Sequence, residues 1–296
     1  MKKAIWAAAA LLAVAACGNK KTANEVKFIG ETVNIPGVAE TVDGEEIPFT
    51  QVDAPQVDLA CFPLDKDGYY QIFNGKDLAG WRGYGRDTVT ARWTVEDGAM
   101  KFTGTGGGEA QGDTGGDIIF ARRFRNFEME LEWKISKGGN SGIFYLAREI
   151  KALDKKGREK YQHIYLSAPE YQVLDNENHP DAKLGVDGNR QSASLYDMIP
   201  AVPQNSKPAG EWNKAKITVF KGTVIHYQND EKVLEYHLWT DEWEEMLQNS
   251  KFSQEKWPIA FELLNNCGGE NHEGYIGFQD HGDDVWYRNI RVKVLD

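Results

Sequence analysis

Apolar and charged residues alternate strictly over residues 127–135. The odd-numbered positions are apolar and the even-numbered positions are charged: Phe127, Met129, Leu131, Trp133 and Ile135 against Glu128, Glu130, Glu132 and Lys134. Successive side chains of a β-strand point to opposite sides of its sheet. The alternation therefore predicts a strand with one face in a core and the other in water.

Shorter stretches rich in β-branched and aromatic residues predict further strands. They cover residues 93–95, 100–102, 118–120, 141–147, 171–174, 215–220, 224–228, 275–281 and 286–294. After residue 228, Asn229 and Asp230 are typical of a tight hairpin turn. Turn residues recur at short intervals between the strands, which is typical of an antiparallel all-β protein.

One stretch predicts a short helix. Thr240 can cap its start, and Asp241 and Glu242 suit the positive end of the helix dipole. The apolar face of this helix consists of Trp243, Met246 and Leu247. Many strands with one short helix predict an all-β domain, a sandwich of two antiparallel sheets. A curved sheet of such a sandwich offers a concave face on which a ligand can bind.

The N-terminus predicts export. Two lysines precede an apolar run over residues 4–16, and Cys17 follows Val-Ala-Ala directly. The run is shorter than the ~20 residues that a membrane-spanning helix needs, so it is typical of a cleaved signal peptide. Val-Ala-Ala-Cys resembles the bacterial lipobox, in which the cysteine is lipidated and becomes the first mature residue. An unmodified cysteine behind an ordinary signal peptide is the alternative.

We therefore expect three parts: a lipoprotein signal peptide over residues 1–16, a tether with a loosely attached segment over 17–64, and the β-sandwich domain over 65–296. The lipid on Cys17 would anchor the protein in the cell envelope, as a periplasmic or outer-membrane lipoprotein. Membrane contact would be through this anchor only. The other two cysteines, Cys61 and Cys267, could pair in an oxidising compartment, or both could be free thiols.

Net charge restricts the partners. The formal charge is −11, and removal of Lys2 and Lys3 with the signal peptide makes it −13. An acidic surface repels nucleic acids and anionic lipid headgroups. The expected partner is therefore a neutral or cationic molecule, or a sugar.

Five motifs occur in order along the predicted domain. They are FNGKDLxGW at 73–81, GGNSGIF at 138–144, PEYQVLD at 169–175, EWN at 211–213 and GxQDHGxxVWxRNI at 277–290. Together they resemble the 3-keto-disaccharide hydrolase family over about residues 69–294. The resemblance implies a concanavalin A-like jelly roll. It also implies an enzyme that cleaves glycosides whose glucosyl ring was oxidised at C3 by a separate oxidoreductase.

Such a substrate determines the chemistry. A ketone at C3 acidifies the C2 proton, so a general base can remove it and the C1 substituent then leaves by β-elimination. Water can add back and complete a net hydrolysis. The route needs a base, a donor that stabilises the enolate oxygen and an acid for the departing oxygen. It requires no organic cofactor, although a divalent metal on the keto oxygen would suit it.

Strand periodicity selects the candidate catalytic residues. Glu170 shares a strand face with Gln172, and we interpret Glu170 as the base; an ordinary solvated glutamate is the alternative. His281 shares a face with Tyr275 and Gln279, and we interpret His281 as the acid or enolate donor. A histidine bonded to neighbouring backbone is its alternative.

Six residues are expected to bind substrate: Asn140, Tyr145, Gln172, Tyr196, Gln279 and Arg288. Tyr145, Tyr196 and Trp212 offer rings on which a sugar can stack, with core packing as the alternative. Arg288 has the same parity as Ile290, so it should be partly covered and paired, with Asp280 as the natural partner.

A metal site has only weak candidates. Asp175, Glu177 and His179 lie close together in one loop and carry oxygen and nitrogen ligands. Their spacing matches no zinc signature, and a polar loop of this kind is usually solvated.

Two other functions remain open. A retaining glycosidase needs two carboxylates about 5–5.5 Å apart, and Glu128, Glu130 and Glu132 offer them on one strand face. A lectin-like module would keep aromatic rings on a concave sheet but needs neither base nor acid.

Overall fold

The computed structural model describes residues 26–106 and 114–296 of the 296-residue chain. Cys17 and the signal peptide lie outside these residues, so the predicted lipidation stays a prediction. None of the helices within the described ranges has the length and apolar character needed to cross a bilayer.

Short strands make up most of the described chain. The strands are β1 (Phe28–Ile29), β2 (Val33–Glu40), β3 (Glu46–Asp53), β4 (Gln56–Val57), β5 (Tyr70–Gln71), β6 (Trp81–Gly83), β7 (Trp93–Glu96), β8 (Ala99–Phe102), β9 (Ile118–Phe124), β10 (Phe127–Ile135), β11 (Asn140–Ala147), β12 (Ile150–Leu153), β13 (Glu159–Tyr161), β14 (Glu170–Leu174), β15 (Asn213–Phe220), β16 (Thr223–Gln228), β17 (Glu231–His237), β18 (Gly274–Phe278) and β19 (Val285–Val294). The helices are α1 (Asp241–Gln248) and α2 (Pro258–Asn265), with 3-10 turns at Leu59–Cys61, Ile164–Leu166 and Pro180–Lys183.

Two antiparallel sheets form the sandwich. The larger has the strand order β17-β16-β15-β10-β19-β8-β7, with β5 paired to β19, and the smaller has the order β14-β11-β18-β9-β6. The apolar faces of both sheets share one core, in which Trp133 of β10 and Phe278 of β18 are fully buried. The predicted two-sheet sandwich is confirmed.

Strand β10 lies between β15 and β19 in the larger sheet. Its odd-numbered residues are all buried, and its charged residues are all half-exposed, as the alternation predicts. Burying one large apolar side chain contributes about 1.5–3 kcal/mol. This strand therefore anchors one sheet on the core and leaves a charged row on the outer face.

The segment before the sandwich is more ordered than expected. Strands β2 and β3 form a hairpin, and β3 continues a four-stranded sheet through β12 to β13. Val57 and Leu59 are buried in the main core. Residues 26–64 are therefore ordered largely as strands, and Val57 and Leu59 pack on the core. Phe28, Ile29 and Val33 of the same segment stay exposed.

The helices confirm one prediction and correct another. Thr240 caps α1, because its hydroxyl accepts a hydrogen bond from the Trp243 backbone at 3.2 Å. The second helix, α2, was not predicted, so the expectation of one short helix is wrong. Most of its residues are apolar, and Phe261, Leu263 and Leu264 are all buried. A buried helix of this kind lacks the polar face that periodicity detects.

A bulge interrupts the pairing of β19 with β10. Glu130 lies opposite Arg291 and Glu132 lies opposite Arg288, so β19 has one extra residue between these pairs. Asn289 in this interval adopts a left-handed backbone conformation with φ 53°. A bulge of one residue reverses the parity of the strand. Arg288 therefore points outward although Ile290 is buried.

Candidate active site

Glu170 lies on the outer face of the smaller sheet, at the start of β14. Tyr171 and Val173 are buried in the core between the sheets, so Glu170 and Gln172 point away from that core. The shared face predicted for Glu170 and Gln172 is the one observed. Glu170 is nevertheless only 7% exposed, because the loops that follow β14 and α1 cover this face.

Gly142 makes room for the Glu170 carboxylate. Gly142 pairs with Gln172 across β11 and β14, and a Cβ at this position would overlap Oε1 of Glu170. The carboxylate therefore lies directly above the backbone of β11. A glycine in a strand often marks such a close approach.

Several polar side chains lie near Gly142. Gln279 follows β18, and its backbone N–H donates to the Gly142 carbonyl at 3.0 Å. Asn140 is two residues before Gly142 on the same face of β11, and its Nδ2 lies 3.4 Å from Nε2 of His281. The fold thus gathers four predicted residues, Asn140, Gln172, Gln279 and His281, on the outer face of the sheet that carries Glu170.

Three of these side chains have an unsatisfied amide oxygen. Within the described residues, Oδ1 of Asn140 and Oε1 of Gln172 and Gln279 accept no hydrogen bond. The three residues are 4%, 0% and 5% exposed respectively. A buried polar atom without a partner costs about 1–3 kcal/mol, so folded proteins seldom keep several together. Three on one face indicate a site prepared for a hydroxyl-bearing ligand.

Tyr196 forms the side of the site nearest the loops. Its N–H donates to the Glu170 carbonyl at 3.1 Å, and its hydroxyl donates to Oδ2 of Asp181 at 3.0 Å. The Lys251 ammonium lies 4.3 Å and the Arg190 guanidinium 5.4 Å from the centre of its ring. Burial, together with the Glu170 and Asp181 charges, raises the pKa of Tyr196. Tyr196 is therefore a neutral, fixed aromatic surface.

Arg190 and Lys251 were not predicted from the sequence. Arg190 bridges Asp181 at 3.0 Å and Asp197 at 2.6 Å, which holds the loop that carries Tyr196. Lys251 follows α1 in a turn, and its backbone N–H donates to Asp197 at 2.9 Å. Neither residue lies in a periodic stretch or in one of the five motifs. No signal in a single sequence would have found them.

Two histidines meet at the other side of the site. The rings of His179 and His281 pack edge to face, with 6.3 Å between their centres. Nδ1 of His179 accepts a hydrogen bond from the Asp181 backbone at 3.1 Å. Burial lowers the pKa of His179, and the neighbouring His281 lowers it further. His179 therefore favours the neutral form and supports His281.

The suggested metal ligands do not converge. Asp175 holds its own loop, since it accepts hydrogen bonds from Gly138 at 2.7 Å, from Asn178 at 2.8 Å and from Glu177 at 3.2 Å. Burial acts to raise the pKa of Asp175, but these hydrogen bonds keep it below its ordinary value. In residues 26–106 and 114–296, no three His, Cys, Asp or Glu side chains are arranged to hold a metal ion.

Tyr145 is not at the site, which corrects the sequence-based prediction. It is fully buried between the two sheets, and its hydroxyl lies 2.7 Å from both Nε2 of His226 and the hydroxyl of Tyr236. Tyr145 has the parity of Ile143 in β11, which is a core residue. The alternation of faces along β11 was therefore a signal in the sequence that placed Tyr145 in the core.

Arg288 is also far from Glu170, because the bulge in β19 places it on the outer face of the larger sheet. Its Nε donates to Glu132 at 2.6 Å, and its guanidinium stacks on Trp212 at 4.0 Å. Asp280, the predicted partner, instead accepts hydrogen bonds from the backbones of Gly116 at 2.7 Å and Gly282 at 3.0 Å. The pairing predicted for Arg288 is wrong, and its side chain lies on the other sheet from Glu170.

The glutamate row of β10 is engaged in ion pairs. Glu130 binds Arg291 at 2.6 Å, Glu132 binds Arg288, and Glu128 accepts a hydrogen bond from Tyr69. These pairs are typical of a structural charged surface, and the row lies on the larger sheet, whereas Glu170 lies on the smaller one.

The two remaining cysteines do not form a disulfide. Cys61 is half-buried and Cys267 is fully buried, and both are free thiols. Burial raises the pKa of the Cys267 thiol to about 12, which keeps it protonated and unreactive.

This outer face, with its buried carboxylate, imidazole and unsatisfied amides, belongs to a sandwich of two antiparallel sheets. The sequence model of one family, described as the 3-keto-alpha-glucoside-1,2-lyase-like domain, matches residues 68–293. The chain belongs to this family. A curated relative, the 3-keto-disaccharide hydrolase of Bacteroides thetaiotaomicron, is 72% identical over 243 residues, which are 82% of this chain and 84% of the relative.

Solved structures show the same fold. A candidate glycosyl hydrolase from Parabacteroides distasonis shares 28% identity with a TM-score of 0.63, over 79% of this chain and 99% of that structure. A second candidate glycosyl hydrolase from the same organism shares 22% identity with a TM-score of 0.53, over 77% of this chain and 99% of that structure. At that identity the second likeness concerns the fold alone.

Proposed function

We propose that this protein cleaves glycosides that carry a ketone at C3, by removing the C2 proton and eliminating the C1 substituent. At the coarser level, it is a glycoside-cleaving enzyme of the family to which it belongs. The activity named for the Bacteroides relative supports the keto substrate. The observation that carries the proposal is the position of Glu170 among three buried amide oxygens without partners.

The amides select the substrate. A pyranose carries several hydroxyl groups, and each can donate to one amide oxygen of Asn140, Gln172 or Gln279. Binding satisfies groups that are unpaired in the free protein, so each hydrogen bond contributes without first breaking another. Tyr196 adds an aromatic face beside these amides, on which the C–H side of the ring can pack.

Glu170 is the base in this proposal. Its carboxylate takes the C2 proton, and the electron pair of that C–H bond forms an enolate with the C3 carbonyl. The enolate then expels the C1 oxygen and leaves a double bond between C1 and C2. A base within hydrogen-bond reach contributes about 10²–10⁴-fold.

His281 is the acid that protonates the departing oxygen. It lies beside Asn140 and against the ring of His179. Addition of water across the C1–C2 double bond then returns the free keto sugar, so that lyase and hydrolase outcomes differ only in this last step. No organic cofactor enters the sequence of steps.

The wider setting is part of the proposal. Ordinary glycosides have a hydroxyl at C3, so a sugar oxidoreductase must supply the substrate. The lipobox-like sequence at Cys17 supports a lipid-anchored protein of the cell envelope, bound to the membrane through the lipid alone. The acidic net charge of the chain supports a carbohydrate rather than a nucleic acid as its partner.

A lectin-like module is the competing function, and one experiment separates the two. Purified protein is incubated with a 3-keto-glucoside and with its unoxidised parent, and aglycone release is followed with and without a chelator. We expect release from the keto substrate alone, with E170Q and H281N reduced by about 10²-fold or more while substrate still binds. Loss in the chelator would show that a metal takes part.

The same reactions in D₂O identify the route. Elimination through C2 predicts deuterium at C2 of the product or a 1,2-unsaturated keto sugar, both visible by NMR. Release from the unoxidised parent would contradict the proposal and favour an ordinary glycosidase. Binding without release would leave the lectin-like function.

A further inference from the structure

A cavity of about 680 Å³ lies on the outer face of the larger sheet. Glu170 lies on the outer face of the smaller sheet, so this cavity is separate from the candidate active site. Strand pairing places part of the cavity lining in one row across β5, β19, β10, β15 and β16: Gln71, Arg291, Glu130, Lys216 and Tyr227. Neighbouring strands lie about 4.8 Å apart, so the row is about 19 Å long. It is longer than a single sugar ring.

The side chains of this row are held in place by one another. Oε2 of Glu130 accepts hydrogen bonds from Nε of Arg291 at 3.0 Å and from Nη2 of Arg291 at 2.6 Å. The Lys216 ammonium lies 4.2 Å from the centre of the Tyr227 ring. A carboxylate has about four acceptor positions, so Glu130 can still accept from a ligand. Side chains that are already fixed lose little freedom when a ligand binds.

The bulge in β19 adds a further polar group to the cavity. Asn289 lies between the pairs that Arg288 and Arg291 form with β10, is exposed, and lines the cavity. A left-handed backbone such as that of Asn289, with φ 53°, is uncommon outside glycine. Bulges often lie beside binding sites, where they reorient a side chain. Here the bulge brings an amide, with two donors and an acceptor, next to the charged row.

Two of the sequence motifs also meet on this face. The motif at 277–290 gives Gln279 and His281 to the candidate active site, but its last part carries Arg288 and Asn289. The guanidinium of Arg288 lies 4.0 Å from the ring centre of Trp212, which belongs to the EWN motif. The proposed elimination uses neither Arg288 nor Trp212. These parts of the two motifs therefore have no role on the Glu170 face.

The balance of charge around the cavity indicates which ligand fits. The lining contains three carboxylates and three cations: Glu130, Glu132, Asp230, Lys214, Lys216 and Arg291. Nucleic acids bind surfaces with an excess of positive charge. The centre of a protein interface is usually depleted of charged residues. Closely spaced donors and acceptors without net charge instead match a neutral molecule with many hydroxyl groups, because each hydroxyl both donates and accepts.

We propose that the outer face of the larger sheet is a second carbohydrate-binding site, in which a neutral oligosaccharide lies along the row from Gln71 to Tyr227 and contacts the Asn289 amide. The site does not depend on the proposed function, because binding of an unoxidised oligosaccharide requires no catalysis. A glycan bound here leaves the Glu170 face open, since the two faces belong to different sheets.

Titration calorimetry on the purified full-length protein tests this site. The probes are maltohexaose, cellohexaose, mannohexaose and xylohexaose. N289G removes the amide, and glycine adopts the left-handed backbone without strain. Y227A removes the ring at the end of the row. D97G is the matched control, because Asp97 is also exposed and left-handed, with φ 50°, but lies in the turn between β7 and β8.

We expect the wild type to bind at least one of the four probes. N289G should weaken that binding by about 2–10-fold, which corresponds to the loss of one hydrogen bond. Y227A should weaken it at least as much, and D97G should bind as the wild type does. Q279L, which changes the Glu170 face, should not weaken it. Thermal unfolding of each variant separates a loss of affinity from a loss of structure.

The absence of binding of all four probes to the wild type would overturn the inference. Wild-type affinity in both N289G and Y227A would do the same. Loss of binding in Q279L together with full binding in N289G would place the oligosaccharide on the Glu170 face instead. None of these results would decide the proposed function, which is tested separately by aglycone release from a 3-keto-glucoside.

Discussion

The carboxylate of Glu170 lies above Gly142, in space that a Cβ at residue 142 would occupy. The two residues are on neighbouring strands, β14 and β11, and Gly142 is paired with Gln172 rather than with Glu170 itself. The position of the candidate base therefore depends on a missing side chain on another strand. This relationship ties the GGNSGIF motif to the PEYQVLD motif.

G142A should displace the carboxylate with little effect on the fold. The atom in the way is the end of a flexible side chain, which can rotate aside, so we expect a loss of under about 1.5 kcal/mol in unfolding free energy. A misplacement of about 1 Å can cost about 10²-fold in rate. Kinetics on the keto substrate and urea unfolding check both values.

Gly277 provides the contrast. A Cβ there would meet the Ile118 backbone carbonyl at 2.9 Å, which cannot rotate away. G277A should therefore lower the stability of the fold more than it lowers the activity of the folded protein. A G142A protein with wild-type kcat would show that Glu170 does not need its present position.

Q279L should weaken substrate binding without weakening the fold. Oε1 of Gln279 has no partner in the described structure, so an apolar side chain of similar size removes an unsatisfied group. We expect an unfolding temperature equal to or above that of the wild type. One lost ligand hydrogen bond, about 0.5–1.5 kcal/mol, should raise KM by about 2–10-fold.

Gln228 is the matched control for Gln279. It is fully buried, but it accepts a hydrogen bond from Ser192 at 2.6 Å and donates to Gln204 at 2.9 Å. Q228L should therefore destabilise the protein and leave KM unchanged. Equal destabilisation by Q279L and Q228L would argue against a ligand role for Gln279.

His226 should make the fold sensitive to acid. It is fully buried beside Tyr145, and burial lowers the pKa of His226 to about 4 from an ordinary value of 6.5. Between these values the unfolded chain binds a proton that the folded chain does not. Stability from this group is therefore complete above pH 6.5 and falls as the pH drops towards 4, by about 3 kcal/mol.

Urea unfolding at several pH values measures this dependence. H226Q removes the titrating group, so its stability should fall less steeply than that of the wild type between pH 6.5 and 4. Parallel curves for the two proteins would show that His226 is protonated as easily in the folded state as in the unfolded state.

R288M should leave catalysis intact. Arg288 pairs with Glu132 on the outer face of the larger sheet, whereas Glu170 lies on the outer face of the smaller one. A half-exposed ion pair contributes about 0–1 kcal/mol. We therefore expect unchanged kcat and KM and a small loss of stability. A large loss of activity would indicate that Arg288 contributes to the active site.

Local periodicity determined much of this protein. The strands at 127–135 and 171–174, the cap at Thr240 and the turn at Asn229 all follow from interactions between residues close in sequence. Strand parity also placed Glu170 and Gln172 on one face correctly, because two-residue alternation holds within an uninterrupted strand. The five motifs indicated the family to which the chain belongs.

Only the tertiary structure decided the rest. The bulge at Asn289 reversed the face of Arg288, and no local pattern marks an extra residue between paired strands. The sequence analysis did not predict helix α2, because most of its residues are apolar and leave no polar face that periodicity could detect. Lys251 comes to lie over the Tyr196 ring from a distant part of the chain, through a turn without periodicity. Contacts of this kind depend on how whole sheets and loops pack against each other. The order of residues along one strand carries no information about that packing.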